Sequence, residues 1–371
     1  MSTIRKVVKN SILKVRRFDD NRDRNKAAKK YLKIIENEKG KLSSTNKRLC
    51  DEYAKDVLGG KSYAPWLYTY TAFAGKFKEG WIPDNYFGQH VIPNMNADYG
   101  LICNNKIAIE SLIKITNSID ICYYVNHLFL DGERKVINEN IIKDYLFTNQ
   151  DEIVYKLETS QKGKGIYFFN KVTFDIEIIK SLGNGVFQRY IKQHSYFSNF
   201  TQNSVATIRL FSACRDNGEI SICGGNLRFG RDKDTHVISS SAIKIPINIK
   251  NGVLESSAYF PSWKSMTKLP DNDYSFAQTR LPQYDKCISE IKRMHSNIPF
   301  IRCIGWDLIV DNNDDVVVIE VNGGHPGVTF IETVQGPCFK SLGWENSHKS
   351  KKANSIYNIY ERSSQVYNTE V

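Results

Sequence analysis

Ile304-Gly305-Trp306-Asp307-Leu308-Ile309-Val310, then Asp311-Asn312-Asn313-Asp314-Asp315, then Val316-Val317-Val318-Ile319-Glu320-Val321-Asn322, is the stretch whose reading decides the fold. Two apolar, β-branched runs flank a cluster of turn formers, which is the pattern of a β-hairpin. A hairpin symmetric about the Asn313/Asp314 peptide puts Asp307 opposite Glu320, and Asn322 shares that face two residues on. Two carboxylates at roughly 5 Å repel by about 3 kcal/mol at an effective dielectric of 20. A hard divalent cation offsets this, and carboxylate plus amide oxygens suit Mg²⁺. Taken alone, the pattern also reads as an exposed strand face carrying ordinary surface acids.

The chain has 371 residues, 41% hydrophobic and 25% charged, an ordinary balance for a soluble globular protein of two or three packed units. Its eight cysteines form no C-x-x-C pair, which argues against zinc and a disulfide framework and for a reduced, cytoplasmic setting. The sequence shows neither 18 uninterrupted apolar residues nor the apolar core of a signal peptide. The net charge of +11 is localised: residues 1–48 hold 16 Lys/Arg against 5 Asp/Glu, leaving 35 of each elsewhere out of 51 and 40. Ile4, Val7, Val8, Ile12, Val15 and Phe18 recur at near-helical spacing among lysines and arginines. Such a basic amphipathic helix contacts an anionic membrane through residues 1–20, contacts nucleic acid, or packs on its own domain. The neutral body argues against nucleic acid.

The expected organisation is a basic helical segment over 1–62, a cap over 63–150, a small subdomain with a glycine loop over 151–200, a large subdomain over 201–345 and a polar tail over 346–371. Residues 63–96 are aromatic and interrupted by proline, which suggests a packed cap of short elements. Asn105 is a plausible cap for a helix over 106–118 with Lys106 in its first turn, where the helix dipole disfavours a cation unless an anion is present. Lys106 is then a phosphate ligand or a solvated lysine. Strands are expected over 121–130 and 136–142. A further strand, 153–158, runs into Thr159-Ser160-Gln161-Lys162-Gly163-Lys164-Gly165 and a second strand. That is not the strand-to-helix order of a P-loop, but its glycines let backbone N–H groups approach phosphate beside Lys156. A plain hairpin turn is the alternative. Residues 185–191 form a short strand able to present backbone groups to a flat base. Arg209 interrupts an apolar strand, as its exposed alternate or as a residue reaching into a polar cleft. Helices are expected over 175–181 and 283–296, and a hairpin over 242–256 turning at Asn251-Gly252.

In this order, over roughly residues 100–340, the features resemble those of the ATP-grasp superfamily. The phrases Ile304-Gly305-Trp306-Asp307 and Ile319-Glu320-Val321-Asn322, with the aromatic 63–96 stretch upstream, are most similar to the sugar-transfer-associated ATP-grasp family of polysaccharide biosynthesis. The resemblance implies an α+β class and the ATP-grasp fold: two α+β subdomains with antiparallel sheet, preceded here by a helical N-terminal region. It implies ATP and Mg²⁺ as cofactors, Lys106 and Lys156 on the α/β-phosphates, and a lid carrying Ser160, Gly163, Lys164 and Gly165. Gln188, Tyr190 and Ile191 become nucleotide contacts, although the family often shows a carboxylate where Gln188 stands. Asp307, Glu320 and Asn322 become Mg²⁺ ligands, and Arg209, Arg228 and Lys156 become the catalytic cations.

The reaction the resemblance implies is carboxylate activation. ATP converts a carboxylate to an acyl phosphate, and an amine displaces phosphate to give an amide. The partners are small-molecule or sugar-linked carboxylates and amines. Its rivals are phosphoryl transfer to a hydroxyl on the same scaffold and a non-catalytic nucleotide-binding protein. No side-chain nucleophile is required, in keeping with seven scattered histidines that suggest no Ser-His or Cys-His arrangement. His325, just after Asn322, either aids proton removal from the amine or is a loop histidine without a role.

Overall fold

The structure is a computed structural model that describes residues 2–158, 164–231, 237, 241–271 and 273–350, with side chains described from Asp19 onward. Ser160, Gly163, most of the 236–240 stretch and residues 351–371 lie outside the described residues. So do the side chains of the basic segment 2–18.

The N-terminal helix Ser2–Lys39 buries Arg24, Ala28, Tyr31 and Ile35. Their spacing of three to four residues aligns them on one face. That face packs on helix Ala64–Ala74, which also meets helix Ser44–Asp56. The aromatic stretch expected to be a packed cap does form core: Trp66, Tyr70, Trp81, Tyr86 and Phe87 are buried in this layer.

Residues 120–189 supply a six-stranded antiparallel sheet from β1 (Asp120–Val125), β2 (Leu128–Asp131), β3 (Val136–Ile137), β4 (Glu152–Leu157), β5 (Ile166–Asn170) and β6 (Gly185–Arg189), in the order β3-β2-β1-β6-β4-β5. The run expected as one strand over 121–130 is two. Asn126 and His127 take left-handed φ of 49° and 68°, the geometry of a two-residue hairpin turn. Helix Ile176–Leu182, capped by Asp175, packs Ile179 into this sheet's core.

A seven-stranded antiparallel sheet follows, from β7 (Thr207–Cys214), β8 (Ile220–Phe229), β9 (Ile243–Pro246), β10 (Ala258–Tyr259), β11 (Ser265–Met266), β12 (Cys303–Val310) and β13 (Val316–Asn322), in the order β11-β10-β9-β8-β7-β12-β13. Strand periodicity divides its residues between two faces. Ile208, Leu210, Trp306 and Leu308 point to helix Tyr284–Ser296 and meet Cys287, Ile291 and Met294. Phe211, Ala213 and Cys303 point the other way, under the N-terminal layer and helix Thr329–Val334. Arg209 and Asp307 share this second face, beyond the part those helices cover.

Three elements are shorter than their patterns suggest, and of the strand expected over 136–142 only Val136–Ile137 forms before the chain turns helical at Glu139–Ile141 and Ile142–Leu146. The helix begun by Asn105 runs Lys106–Ile113 and ends where Lys114 turns left-handed at φ 53°. The turn at Asn251-Gly252 forms, with Gly252 at φ 74°, but beyond β9 only a single bridge, Ile247 to Leu254, joins its arms.

Candidate active site

The hairpin of β12 and β13 sets the register of the site. Its turn closes with Val310 opposite Val316, half a residue from the expected centre, and a β-bulge then shifts the ladder between Asp307 and Leu308. Leu308 pairs with Val318 and Asp307 with Glu320, which leaves Ile319 as the extra residue. The bulge restores the expected facing of Asp307 and Glu320. Asn322 pairs with Gly305 on the same face. One row of side chains then runs across four strands, from Glu320 to Asp307, Arg209 and Asn226.

Asp307 sits at the centre of that row. Arg209 grips it with both arms of the guanidinium, Nε on Oδ1 and Nη2 on Oδ2, and Arg228 Nη1 stands 3.7 Å from Oδ1. Burial by itself would raise the Asp307 carboxyl. The Arg209 charge and hydrogen bonds, with Arg228 and Lys156 behind them, outweigh burial and hold it below the usual carboxylate range. Arg209 therefore reaches into a polar cleft rather than standing as an exposed alternate.

The two lysines come from different elements, Lys156 from the small sheet and Lys106 from the start of helix Lys106–Ile113. Lys156 on β4 donates to the Ile319 carbonyl at 3.3 Å, and Lys106 donates to the Glu158 carbonyl at 3.0 Å. Burial first, and the Lys156 charge second, depress the Lys106 ammonium to about 8. Lys106, Lys156, Arg209 and Arg228 thus gather where Asp307 and Glu320 are the facing acids. Such a concentration of positive charge in a cleft suits a polyphosphate.

The residues expected to contact the nucleotide divide. Ile191 is buried with Ile119, Ile309 and Val317 in a small apolar patch where the chain crosses between the sheets, whereas Tyr190 is 39% exposed beside it. Gln188 does not stand alone: its Nε2 donates to Asp120 Oδ1 at 2.7 Å, and Asp120 pairs with Gln188 across β1 and β6. Asp120 shares the Tyr123 hydroxyl with Glu110, and burial followed by the Glu110 charge pushes Asp120 up to about 7. Sequence reading missed this acid pair. The clue was a carboxylate at the first position of a buried strand. Lys164 is exposed, and Gly165 has φ 75°, a conformation that favours glycine.

The donor set passes a chemical test for Mg²⁺. The Glu320 carboxylate has no hydrogen-bond partner among the described residues, so its oxygens are available, and the Asn322 amide would offer its oxygen while its buried nitrogen, a donor, is also unpartnered. Asp307 spends one lone pair on each oxygen in meeting Arg209 and keeps others. Among the described residues no three His, Cys, Asp or Glu form a self-sufficient metal cage. Two carboxylates and one amide form the smaller set that Mg²⁺ accepts when phosphate and water complete its shell. One Ser-His contact does exist: Ser212 Oγ lies 2.7 Å from His295 Nδ1 and accepts from Trp306. It is wholly buried on the opposite face of the sheet, and burial lowers His295 to about 4, so it is core structure.

Two antiparallel sheets meet here, Lys156 on one and the carboxylate row on the other, which is the arrangement expected of an ATP-grasp fold. Residues 177–344 match the family described as Sugar-transfer associated ATP-grasp, and over that stretch, a little under half of the chain, this protein carries the pattern of that family. Lys106 and Lys156 precede the matched residues. Among solved structures, N5-carboxyaminoimidazole synthetase from Staphylococcus aureus complexed with ADP is 10% identical, with TM-score 0.35 over 59% of this chain and 44% of that one. The VanG D-Ala:D-Ser ligase from Enterococcus faecalis is 11% identical, with TM-score 0.40 over 67% and 61%. An L-amino acid ligase from Bacillus licheniformis is 12% identical, with TM-score 0.36 over 78% and 55%. The chain spans about half the length of these structures. No curated protein matches it, and no helix among the described residues is long and apolar enough to cross a membrane.

Proposed function

We propose that the chain is an ATP- and Mg²⁺-dependent carboxylate–amine ligase, joining an amino acid or amine to a sugar acid during surface polysaccharide assembly. The observation that supports this most is the meeting of Lys106 and Lys156 with Arg209, Arg228, Asp307 and Glu320 in one cleft. Lys106 and Lys156 hold the α/β-phosphates, and the Ile191 patch offers an apolar wall for the base. Asp307, Glu320 and Asn322 would hold Mg²⁺, which when bound would offset charge on the transferring phosphoryl group.

The substrate carboxylate attacks the γ-phosphorus, the bond to the ADP oxygen breaks, and an acyl phosphate forms. The amine nitrogen then attacks the acyl carbon, phosphate leaves, and the proton lost by the amine passes to phosphate or water. Arg209 and Arg228 offset the negative charge of the acyl phosphate and of the tetrahedral state. The basic segment 1–20 keeps this cytoplasmic enzyme beside lipid-linked intermediates on an anionic membrane face. Unchanged binding to anionic liposomes after deleting residues 1–20 would remove that part of the reading.

The test is incubation with ATP, Mg²⁺ and a panel of uronic acids and amino acids, with mass detection of products. A condensed amide, released only when both carboxylate and amine are present, is expected. A phosphorylated hydroxyl product would make the protein a phosphotransferase, and bound but unconsumed ATP across the panel would make it a nucleotide-binding protein. Turnover that survives Asp307→Asn with Glu320→Gln would end the site assignment.

A further inference from the structure

Arg24 is a fully buried arginine on the N-terminal helix, far upstream of the matched family segment. Its Nε donates to Asp20 at 2.8 Å, and its Nη1 donates to Asp84 Oδ2 and lies 3.3 Å from His325 Nε2. The other oxygen of Asp84 accepts from the Thr329 hydroxyl. A third residue of the same layer, Asn96, donates to the Gly323 carbonyl at 2.6 Å. The segment 323–329, which directly follows Asn322, is therefore held at its start, middle and end by side chains of the N-terminal layer. On its other side, the Pro326 carbonyl accepts from Arg209 Nη1 at 3.3 Å.

The segment opens Gly323-Gly324-His325-Pro326-Gly327 and has few side chains with which to fix itself. Glycines lose the most freedom on ordering, so its conformation has to be imposed from outside. A buried ion pair is weak evidence for added stability, but a planar guanidinium fork defines direction in a way that a lysine does not. We propose that Arg24 is a positioning residue for the acceptor side of the site. With Asp84 it holds the 323–329 segment, and through the Pro326 carbonyl it sets the reach of Arg209. The inference rests on the ligase reading for what Arg209 faces. Lys106 and Lys156 contact other carbonyls, so the lysines assigned to the phosphates stand apart from this network, while the Mg²⁺ side adjoins it through Asn322 and Asp307.

The experiment compares wild type with Arg24→Lys and Asp84→Asn in the full chain. Kinetics with the carboxylate and amine that give product should show KM for the carboxylate raised about tenfold or more. The dissociation constant for ADP without Mg²⁺, measured by calorimetry, should move less than twofold. Equal shifts for nucleotide and carboxylate, or no shift in either variant, would overturn the proposal. A wild type that condenses nothing would sink the ligase reading instead, and a second readout then decides. Amide exchange over 323–329 in Arg24→Lys should quicken about tenfold while β12 and β13 keep their protection, and unchanged exchange there overturns the proposal without any substrate.

Discussion

Lys156, on β4 of the small sheet, donates to the carbonyl of Ile319 at 3.3 Å, the unpaired residue of the bulge in β13. A bulge leaves its extra residue out of the ladder, so this carbonyl is available to a partner from elsewhere. The contact brings a cation of one sheet to the carboxylate edge of the other, where neither sheet could assemble the site alone.

Replacing Lys156 by Met removes that cation and keeps most of the apolar stem. Hydrogen bonds to charged groups contribute about 1.5–3 kcal/mol, so affinity for MgATP should fall on the order of tenfold to a hundredfold. Calorimetric titration checks this, and an unchanged dissociation constant would remove Lys156 from the nucleotide site.

Asp307 and Arg209 form a buried pair, and removing one partner leaves the other charge uncompensated. Arg209→Met should destabilise by about 3–5 kcal/mol, and the double variant Arg209→Met, Asp307→Asn by less than the two single losses together. Urea unfolding of the four proteins measures the coupling. Strict additivity would mean that Arg228 alone satisfies Asp307.

Lys106 is depressed to about 8 by burial and by Lys156. A phosphate beside it favours the charged form, so nucleotide binding takes up a proton once the free ammonium has begun to titrate. Affinity for ATP should therefore be level below pH 7 and fall as pH rises through 8. Lys106→Met should bind more weakly and flatten the dependence, and an identical pH profile in that variant would contradict the assignment.

Asp120 is raised to about 7, so between about 4 and 7 the folded protein binds a proton that the unfolded chain has released. Stability should fall as pH rises through that window and level off above it. Glu332, buried and raised to about 7, adds a slope of the same sign. Asp120→Asn should remove part of the slope, as measured by urea midpoints from pH 4.5 to 8. A slope unchanged by the substitution would remove Asp120 as its source.

The sequence by itself determined the elements and their local chemistry. The β12/β13 hairpin, the oxygen set on one of its faces, the Asn105 cap and the packed aromatic stretch are all legible because they depend on periodicity and turn chemistry within a few residues. Resemblance added the fold that joins them. Tertiary structure alone decided which groups meet: the bulge at Ile319 that corrects the register, the grip of Arg209 on Asp307, the pairing of Gln188 with Asp120, and Arg24 behind His325. The bulge lies within one hairpin, but each of the other three depends on segments dozens to hundreds of residues apart being brought within about 3 Å. A side chain's polar partner is fixed by packing across the whole chain, whereas its tendency to sit in a strand or helix is fixed by its neighbours.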